Sequence, residues 1–267
     1  MIDNRVTASV MGAPIDAISW GAVLDKLSDW ASRHESRYVC VCNVHSVVTV
    51  SQDRAFRRVV KGADMATPDG APVAWMLRYF GHVGQQRING PDLMWRYCEK
   101  SQNLDTPLRA DGSGGAEPIF FYGSSEKTLA ALKVKLLAAF PAMKIAGMIS
   151  PPFRPLTPAE DAAIVEQINA SGARVVFVCL GCPKQELWMA AHRGRIHAVM
   201  IGVGAAFNYS AGITRRAPKW MQDCGLEWLH RAACEPGRLW KRYLVTNTLF
   251  IFGVAGQLLK VGLRTER

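Results

Sequence analysis

Apolar positions along the chain follow two patterns that alternate. Short apolar runs bounded by glycine, proline or polar residues predict strands over residues 6–10, 38–43, 63–67, 118–123, 143–149, 174–180 and 197–203. Apolar residues at helical spacing predict helices over residues 20–31, 45–61, 71–80, 125–140 and 157–171. Because strands that alternate with helices assemble into a mostly parallel sheet with helices on both faces, we expect an α/β fold. Ligands of such sheets bind at the carboxyl ends of the strands.

The chain has 267 residues and is 49% apolar, which allows one large domain or one domain with an appendage. We predict a core over residues 1–212 and a basic C-terminal appendage over residues 213–267. The appendage holds ten Lys and Arg residues against four acidic ones, and it carries much of the formal net charge of +10. That balance indicates a nucleic acid, an anionic membrane surface or a phosphorylated ligand as partner.

The seven cysteines lie mostly inside apolar runs, which predicts reduced thiols and a cytosolic protein. The first residues lack the apolar core of a signal peptide, and no stretch has the roughly 20 apolar residues of a spanning helix. Thiols at two strand ends (Cys40, Cys42, Cys179 and Cys182) could hold zinc. Cysteine in an apolar strand usually packs as a small hydrophobe, so we expect no metal site.

Two polar clusters follow the third predicted strand. Asp69 stands between a proline and a glycine at the start of a helix, where an aspartate commonly caps the helix. It could equally act as a general base, since a partly shielded carboxylate at a strand end can take a proton from an attacking hydroxyl. Arg87, Asn89 and Asp92 form the second cluster, although each alone is more often a solvated loop residue.

The loop after the sixth predicted strand places Lys184, Gln185 and Glu186 at the start of a helix. Backbone N–H groups there favour an anion, and the amide can bind hydroxyl groups; an ordinary helix start is the alternative. No Asp-x-Asp pair occurs in the chain to hold a metal on a diphosphate. We therefore expect Lys, Arg and backbone N–H groups to bind the charge of a diphosphate.

The loop after the last predicted strand contains Gly202 and Gly204, which resemble the opening of a dinucleotide fingerprint. Phe207 stands where a third glycine is expected, and the loop lies late in the chain. The indication of a nicotinamide cofactor is therefore weak.

These loops, in this order, resemble the WecG/TagA/CpsF family of bacterial glycosyltransferases over nearly the whole chain. The matching stretches are residues 10–16 (VMGAPID), 63–70 (ADMATPDG), 87–94 (RINGPDLM), 181–188 (GCPKQELW), 202–212 (GVGAAFNYSAG) and 216–231 (RAPKWMQDCGLEWLHR) with Glu235 and Pro236. The last three stretches are highly specific, so a chance match to all of them is implausible.

The resemblance implies a Rossmann-like core and an inverting, metal-independent transfer without a cofactor. A hexose would move from a nucleotide diphosphate to a polyprenyl-diphosphate-linked sugar at the cytoplasmic face of the membrane. The family motifs make Asp69 the expected base, with Arg87 binding substrate and Gln185 lining the sugar pocket. In the family the C-terminal appendage supplies cations to the lipid diphosphate. The residues that match those positions here are Arg231, Arg238, Lys241 and Arg242. The other expected substrate-binding residues are Asn43, Asn89, Lys184, Glu186, Gly202, Gly204 and Phe207.

Two departures from the family pattern concern the donor sugar. Val41 stands where members often carry threonine, and Asn208 stands where many carry an acidic residue. The best-known donors carry N-acetylmannosamine or its uronic acid, while a branch in xanthan-type exopolysaccharide assembly uses glucose. The apolar Val41 and the Arg-Ile-Asn-Gly variant favour β-1,4-glucosyl transfer from UDP-glucose, with UDP-N-acetylmannosamine or its uronate as the alternative.

The C-terminal segment combines charge with apolar surface. Residues 243–259 carry no charge but are too polar and too short to span a membrane. On a helix, Arg242, Thr246, Gly253 and Gln257 share one side and leucine, isoleucine and valine cover much of the rest, which suits an interfacial helix on anionic lipid. Packing on the core or on a partner chain is the alternative. The apolar surface argues against nucleic acid, and a non-catalytic lipid-binding module and a nicotinamide-dependent oxidoreductase stay open as other classes of function.

Overall fold

The computed structural model describes residues 5–102 and 116–265, except for the side chains of residue 238 and residues 261–265. Its strands are β1 (Thr7–Val10), β2 (Ala13–Asp16), β3 (Arg37–Cys42), β4 (Met65–Pro68), β5 (Ile119–Gly123), β6 (Ile145–Ile149), β7 (Val175–Cys179) and β8 (Val199–Gly202). Its helices are α1 (Trp20–Ser32), α2 (Val44–Gln52), α3 (Arg54–Gly62), α4 (Ala71–Tyr79), α5 (Gly90–Ser101), α6 (Glu126–Ala139), α7 (Pro158–Ala170), α8 (Lys184–His192), α9 (Ala206–Ser210), α10 (Lys219–Asp223), α11 (Glu227–Cys234) and α12 (Pro236–Thr265).

Six strands form one sheet in the order β4, β3, β8, β7, β5, β6. β5 runs parallel to β6 and β7, and β7 runs parallel to β8. Phe121 and Phe177 are register partners on β5 and β7, and their ring centroids lie 5.8 Å apart. Helices surround the sheet, and most residues of β3, β4, β5, β7 and β8 are buried, whereas the edge strand β6 is half-buried. The predicted α/β fold with a mostly parallel sheet is confirmed.

Contacts along the chain divide it into two compact units. The first unit comprises Met1–Ser19, Cys40–Ile88 and Arg216–Arg267, and the second comprises Trp20–Val39 and Asn89–Arg215. The expected organisation into a core over residues 1–212 and an appendage over residues 213–267 stays a prediction.

In the first unit a buried carboxylate joins the β1–β2 hairpin to β4. Asp16 is 4% exposed and forms an ion pair with Arg5 at 2.6 Å. The same carboxylate accepts the backbone N–H of Ala66 at 2.5 Å. A charge buried this deeply is stabilised only by strong donors of this kind, so Asp16 is a structural residue of the hairpin.

The prediction of one helix over residues 45–61 is wrong, because the helix is interrupted at Asp53. The backbone of Asp53 is extended, and its side chain accepts the N–H groups of Ala55 and Phe56 at 2.7 and 3.1 Å. An aspartate that bonds these donors competes with the helical ladder and starts a new helix. Apolar periodicity continues across the break, which is why the pattern did not reveal it.

Helix α12 is longer than the uncharged segment from which it was predicted. Its polar side packs on its own unit: Gln257 accepts the N–H of Met11 at 2.8 Å and donates to the carbonyl of Ser9 at 2.6 Å. Gly253 lies so close to Met11 that an added Cβ would meet its side chain. Within the described part of the chain no helix is long and apolar enough to cross a membrane.

The second unit confirms a predicted helix start. Thr157 accepts the N–H of Glu160, and Glu160 accepts the N–H of Thr157, so the capping box at the start of α7 is present. The sequence patterns gave no indication of α5 in this unit or of β2 in the first unit. β2 is short, and α5 begins within the polar cluster of Arg87, Asn89 and Asp92, so apolar periodicity is weak in both.

Candidate active site

Asp69 stands at the end of β4, and its backbone is fixed to the neighbouring strand. Its N–H donates to the carbonyl of Cys42, the last residue of β3, at 2.9 Å. The helix cap is not Asp69: α4 has Gly70 at its N-cap position, with φ +86 and no side-chain hydrogen bond. The alternative interpretation of Asp69 as a helix cap is therefore wrong, and its carboxylate is available to the site.

Asn43 follows the last residue of β3 and caps α2, accepting the N–H of Ser46 at 3.1 Å. Arg87 is brought alongside by the hydrogen bond from the N–H of Ile88 to the carbonyl of Pro68 at 2.9 Å. The polar residues at these strand ends meet in one unit, as expected for a parallel sheet.

Arg87 lies between two carboxylates. Its Nη2 atom is 3.6 Å from Oδ1 of Asp69, and the same nitrogen donates a short hydrogen bond to Glu227, the first residue of α11. The three side chains are only 16–20% exposed. A guanidinium shared in this way holds two like charges near one another that would otherwise repel.

A cavity of about 500 Å³ opens in the first unit next to this group. Its polar and charged lining residues are Asn43, His45, Asp69, Arg87, Gln222, Glu227, Arg231, Arg242, Thr246 and Asn247. Large apolar side chains of α4, α11 and α12 line the remainder, namely Trp75, Met76, Trp228, Tyr243, Phe250, Ile251, Val254 and Leu258. Arg242 and Leu258 both line it and lie roughly 24 Å apart along one helix, so the cavity is elongated.

The environment of Asp69 favours a neutral carboxyl. Burial raises the pKa of Asp69 most; Arg87 lowers it, and Glu227 raises it again. Arg231 and Arg216 contribute smaller lowering effects, and the net pKa lies above the ordinary value. A carboxylate whose pKa is raised is a stronger base once ionised, as general base catalysis requires.

The four expected phosphate-binding cations have different positions. Arg231 on α11 and Arg242 on α12 line the cavity, whereas Lys241 is exposed and is not among the lining residues. Arg238 belongs to α12, and its side chain lies outside the described residues. Two of the four expected cations thus line the cavity that also contains Asp69 and Arg87.

The lining residues that the sequence interpretation missed include Glu227, Trp228 and Tyr243. Glu227 lies four residues before Arg231, so the two share one face of a helix. That spacing was the available signal, but this acid was used only toward net charge and as part of the matching stretch over residues 216–231. Trp228 and Tyr243 pack together with ring centroids 5.9 Å apart.

A separate cluster forms in the second unit, where α8 begins at Lys184 as predicted. Gln185 is 4% exposed; its Oε1 accepts the N–H of Gly204 at 3.1 Å, and its Nε2 donates to Glu186 at 2.9 Å. A Cβ at Gly202 would lie 2.9 Å from Nε2 of Gln185, so this strand end admits only glycine without displacement. Gln185 follows the loop after β7 and binds Gly204 in the loop after β8, so its side-chain amide joins the two loops.

Glu186 and Lys184 differ sharply in exposure. Lys184 is exposed, whereas Glu186 is 1% exposed and burial raises its pKa. Its Oε2 atom has no hydrogen-bond partner among the described residues. The carboxyl is thus held near Gln185 in an environment that favours its protonated form.

Phe207 and Asn89 have structural contacts in the second unit. Phe207 is fully buried, with its ring 5.5 Å from that of Phe121. Asn89 caps α5, accepting the N–H of Asp92 at 3.0 Å and donating to its carboxylate at 2.6 Å. Direct contact of either side chain with substrate stays a prediction.

The described residues contain no group of three or more His, Cys, Asp or Glu side chains that could hold a metal ion. Cys40 and Cys42 are buried within β3, and burial raises the pKa of Cys179 on β7 to about 12. The thiol of Cys179 is therefore protonated near neutral pH.

One family profile matches most of the chain. The profile of the family described as the Glycosyl transferase WecG/TagA/CpsF family matches residues 8–263. The match contains the strand-end loops of both units and continues through α10, α11 and most of α12.

Proposed function

The chain belongs to the WecG/TagA/CpsF family of glycosyltransferases, and we propose that it transfers a hexose from a UDP-sugar to a polyprenyl-diphosphate-linked sugar. The elongated cavity of the first unit carries this proposal. Asp69, Arg231 and Arg242 line it together with the apolar side chains of α12. A ligand that combines a sugar, an anionic diphosphate and a hydrocarbon chain matches that lining.

The charges of the cavity support a diphosphate. Arginine binds phosphate oxygens through paired donors, and Arg231 and Arg242 lie on adjacent helices of the same unit. The apolar side chains that follow Arg242 along α12 would contact the first part of the prenyl chain. Lys241 and Arg238 are the further cations that we assign to the lipid diphosphate or to the anionic surface around it.

For the chemical step we propose one inverting displacement. Asp69 takes the proton of the acceptor hydroxyl as its oxygen forms a bond to the anomeric carbon of the donor. The bond from that carbon to the diphosphate oxygen breaks at the same time, and UDP leaves with the electron pair. Cations and backbone N–H groups stabilise the negative charge that develops on the leaving group.

We assign the donor side to the strand-end cluster of the second unit. Gln185 is positioned by Gly204 and Glu186, and its remaining amide donor could bind a sugar hydroxyl. The adjacent start of α8, with Lys184 exposed, suits an anion of the nucleotide. Asn43, Arg87 and Asn89 complete the proposed substrate-binding set, with Gly202 and Phe207 shaping the loop.

Glucose is the donor sugar that we propose, transferred in β-1,4 linkage during exopolysaccharide or cell-surface polysaccharide synthesis. Val41 is apolar and only 6% exposed, which offers no hydroxyl at that strand end. Asn208 is neutral and accepts a hydrogen bond from Ser124 at 3.3 Å. An N-acetylmannosamine or uronate donor is the alternative.

The exposed side of α12 supports a peripheral position on the inner face of the cell membrane. Its side chains there include Trp240, Leu244, Val245, Ile251, Phe252 and Leu259, each at least 48% exposed. A helix that presents such a face beside Lys and Arg residues binds an anionic interface without spanning it.

A panel of nucleotide sugars tested with a short-chain polyprenyl-diphosphate sugar acceptor would test this proposal. We expect transfer from UDP-glucose and a β-1,4-linked product identified by NMR. Transfer from UDP-N-acetylmannosamine or its uronate alone would select the alternative donor. Absence of transfer from every donor, with retained binding of lipid vesicles, would favour a non-catalytic lipid-binding module, and tight binding of a nicotinamide nucleotide would favour an oxidoreductase.

A further inference from the structure

The geometry around Arg87 points to a role for Glu227 that rests on the proposed function of Asp69 as base. We infer that Glu227 is a positioning residue, which binds the guanidinium of Arg87 and so keeps it from closing on Asp69. Arg87 donates a hydrogen bond to Glu227 from the same Nη2 atom that lies 3.6 Å from Asp69. The distance of 3.6 Å between Arg87 and Asp69 suits an ion pair but is too long for a hydrogen bond.

Glu227 is held in this position by the turn before it. Gly225 has φ +73 and packs against α4. A Cβ on Gly225 would lie 3.0 Å from Trp75 and 3.2 Å from Ala71. Ala71 is the first residue of α4, two positions after Asp69. The start of α11 is therefore packed against the same helix start that follows the proposed base, and Glu227 projects into the cavity from a fixed backbone.

Charge also distinguishes the two possible partners of Arg87. A guanidinium that bound Asp69 directly would stabilise its ionised form and weaken it as a base. Glu227 competes for the same donor and adds a negative charge of its own. Consistent with this geometry, Glu227 raises the pKa of Asp69, whereas Arg87 lowers it.

Several titratable and charged groups face Asp69 from the elements packed around the cavity. They are Arg87, Arg216, Glu227, Arg231, Arg242, His45 and Tyr243. Among the described residues that act on Asp69, Glu227 contributes the negative charge and raises the pKa of Asp69. The arginines lower that pKa. Loss of the charge of Glu227 should therefore lower the pKa of Asp69, and the arginines cannot compensate for that loss.

The test compares Glu227→Gln with wild-type protein and with Asp223→Asn. The glutamine side chain of the first variant keeps a hydrogen-bond acceptor for Arg87 but loses the charge. Asp223 lies in the same segment but is exposed and pairs with Lys219, so its variant removes one negative charge outside the cavity. The first measurement is the pH dependence of kcat/KM for sugar transfer, and the second is the titration of the Asp69 carboxyl by NMR with ¹³C-labelled aspartate, assigned with Asp69→Asn.

We expect Glu227→Gln to lower the titration midpoint of Asp69 and to move the acid limb of kcat/KM to lower pH. Its plateau rate should fall about tenfold, a typical loss when two groups of one network are uncoupled. Asp223→Asn should leave both measurements unchanged. Glu227→Ala, which also frees Arg87 to move, should lose more activity than Glu227→Gln.

An unchanged midpoint in Glu227→Gln, or one that rises, would overturn the role of Glu227. So would an equal effect of Asp223→Asn. The NMR titration needs no substrate, so it decides this point even if wild-type protein transfers no sugar. Absence of sugar transfer by wild-type protein would refute the proposed function alone. The coupling of Glu227 to Asp69 would then stand as a separate finding.

Discussion

The side-chain carbonyl of Gln257 accepts a hydrogen bond from the backbone N–H of Met11 at 2.8 Å, although the two residues lie at opposite ends of the chain. The amide nitrogen of Gln257 also donates to the carbonyl of Ser9 at 2.6 Å. One side chain thus joins α12 to the β1–β2 hairpin at two backbone groups. Since α12 also lines the cavity, this contact holds part of the cavity wall in place.

We expect Gln257→Leu to weaken the attachment of α12 to the hairpin. The change keeps a similar volume but leaves an N–H and a carbonyl without their partner, which costs about 1–2 kcal/mol of unfolding free energy at a partly solvated position. Urea unfolding followed by circular dichroism measures the change. Thr248→Leu is the matched control, because Thr248 is an exposed residue of the same helix. Equal stability of the two variants would contradict the structural role of Gln257.

The same helix shows what the sequence could and could not predict. The alternation of charge and apolar residues predicted a helix with a polar side and an apolar side, and both are present. Helical spacing cannot say which side packs inward, because that depends on partners distant in sequence. In α12 the polar Gln257 meets backbone groups of the hairpin, while Phe252 is 72% exposed.

The candidate site was predictable to a similar extent. Apolar strands followed by polar loops indicated Asn43 and Asp69, because the carboxyl ends of adjacent strands meet. Glu227 was missed although its spacing from Arg231 was available, because its contact with Arg87 joins segments far apart in the sequence. The break at Asp53 was missed for a different reason: side-chain capping competes with the helix locally, while the apolar pattern continues across it.

The exposed apolar face of α12 should control membrane binding. We expect the double variant Phe252→Ser and Leu259→Ser to bind phosphatidylglycerol vesicles at least tenfold more weakly, because each buried side chain of this size contributes about 1.5–3 kcal/mol. Phe153→Ser is the control, since Phe153 is 94% exposed but lies in the second unit. Vesicle sedimentation gives the bound fraction. Unchanged binding by the double variant would exclude this face as the membrane contact.

Gly90 should tolerate no side chain. A Cβ there would lie 2.6 Å from the carbonyl oxygen of Val203, and backbone cannot move aside as a flexible side chain can. Overpacking typically costs about 1–3 kcal/mol, and the gain of about 1 kcal/mol from alanine in a helix offsets only part of it. Thermal unfolding should therefore show Gly90→Ala destabilised. Gly84→Ala, where a Cβ meets nothing within 4 Å, should be near wild type, and a similar loss in both variants would contradict the steric cause.

Asp69→Asn should fold normally and lose about a hundredfold or more in turnover, since general base catalysis typically contributes 10²–10⁴-fold. Asparagine keeps the shape of the side chain but cannot take a proton. Transfer rates at substrate saturation measure the loss, with circular dichroism as the test of folding. The change Asp223→Asn, at an exposed acid outside the cavity, should leave the rate unaffected. Near-normal turnover by Asp69→Asn would remove Asp69 as the base.

The same variant should show a characteristic dependence of stability on pH. Burial raises the pKa of Asp69 in the folded protein, so the folded state binds this proton more tightly than the unfolded chain does. Ionised Asp69 therefore destabilises the fold above its folded pKa, and that effect disappears as pH falls toward the unfolded pKa. Asparagine resembles the neutral acid, so Asp69→Asn should have the higher Tm at neutral pH and approach wild type in acid. A Tm difference of the opposite sign at neutral pH would mean that Arg87 and the other arginines outweigh burial at this carboxyl.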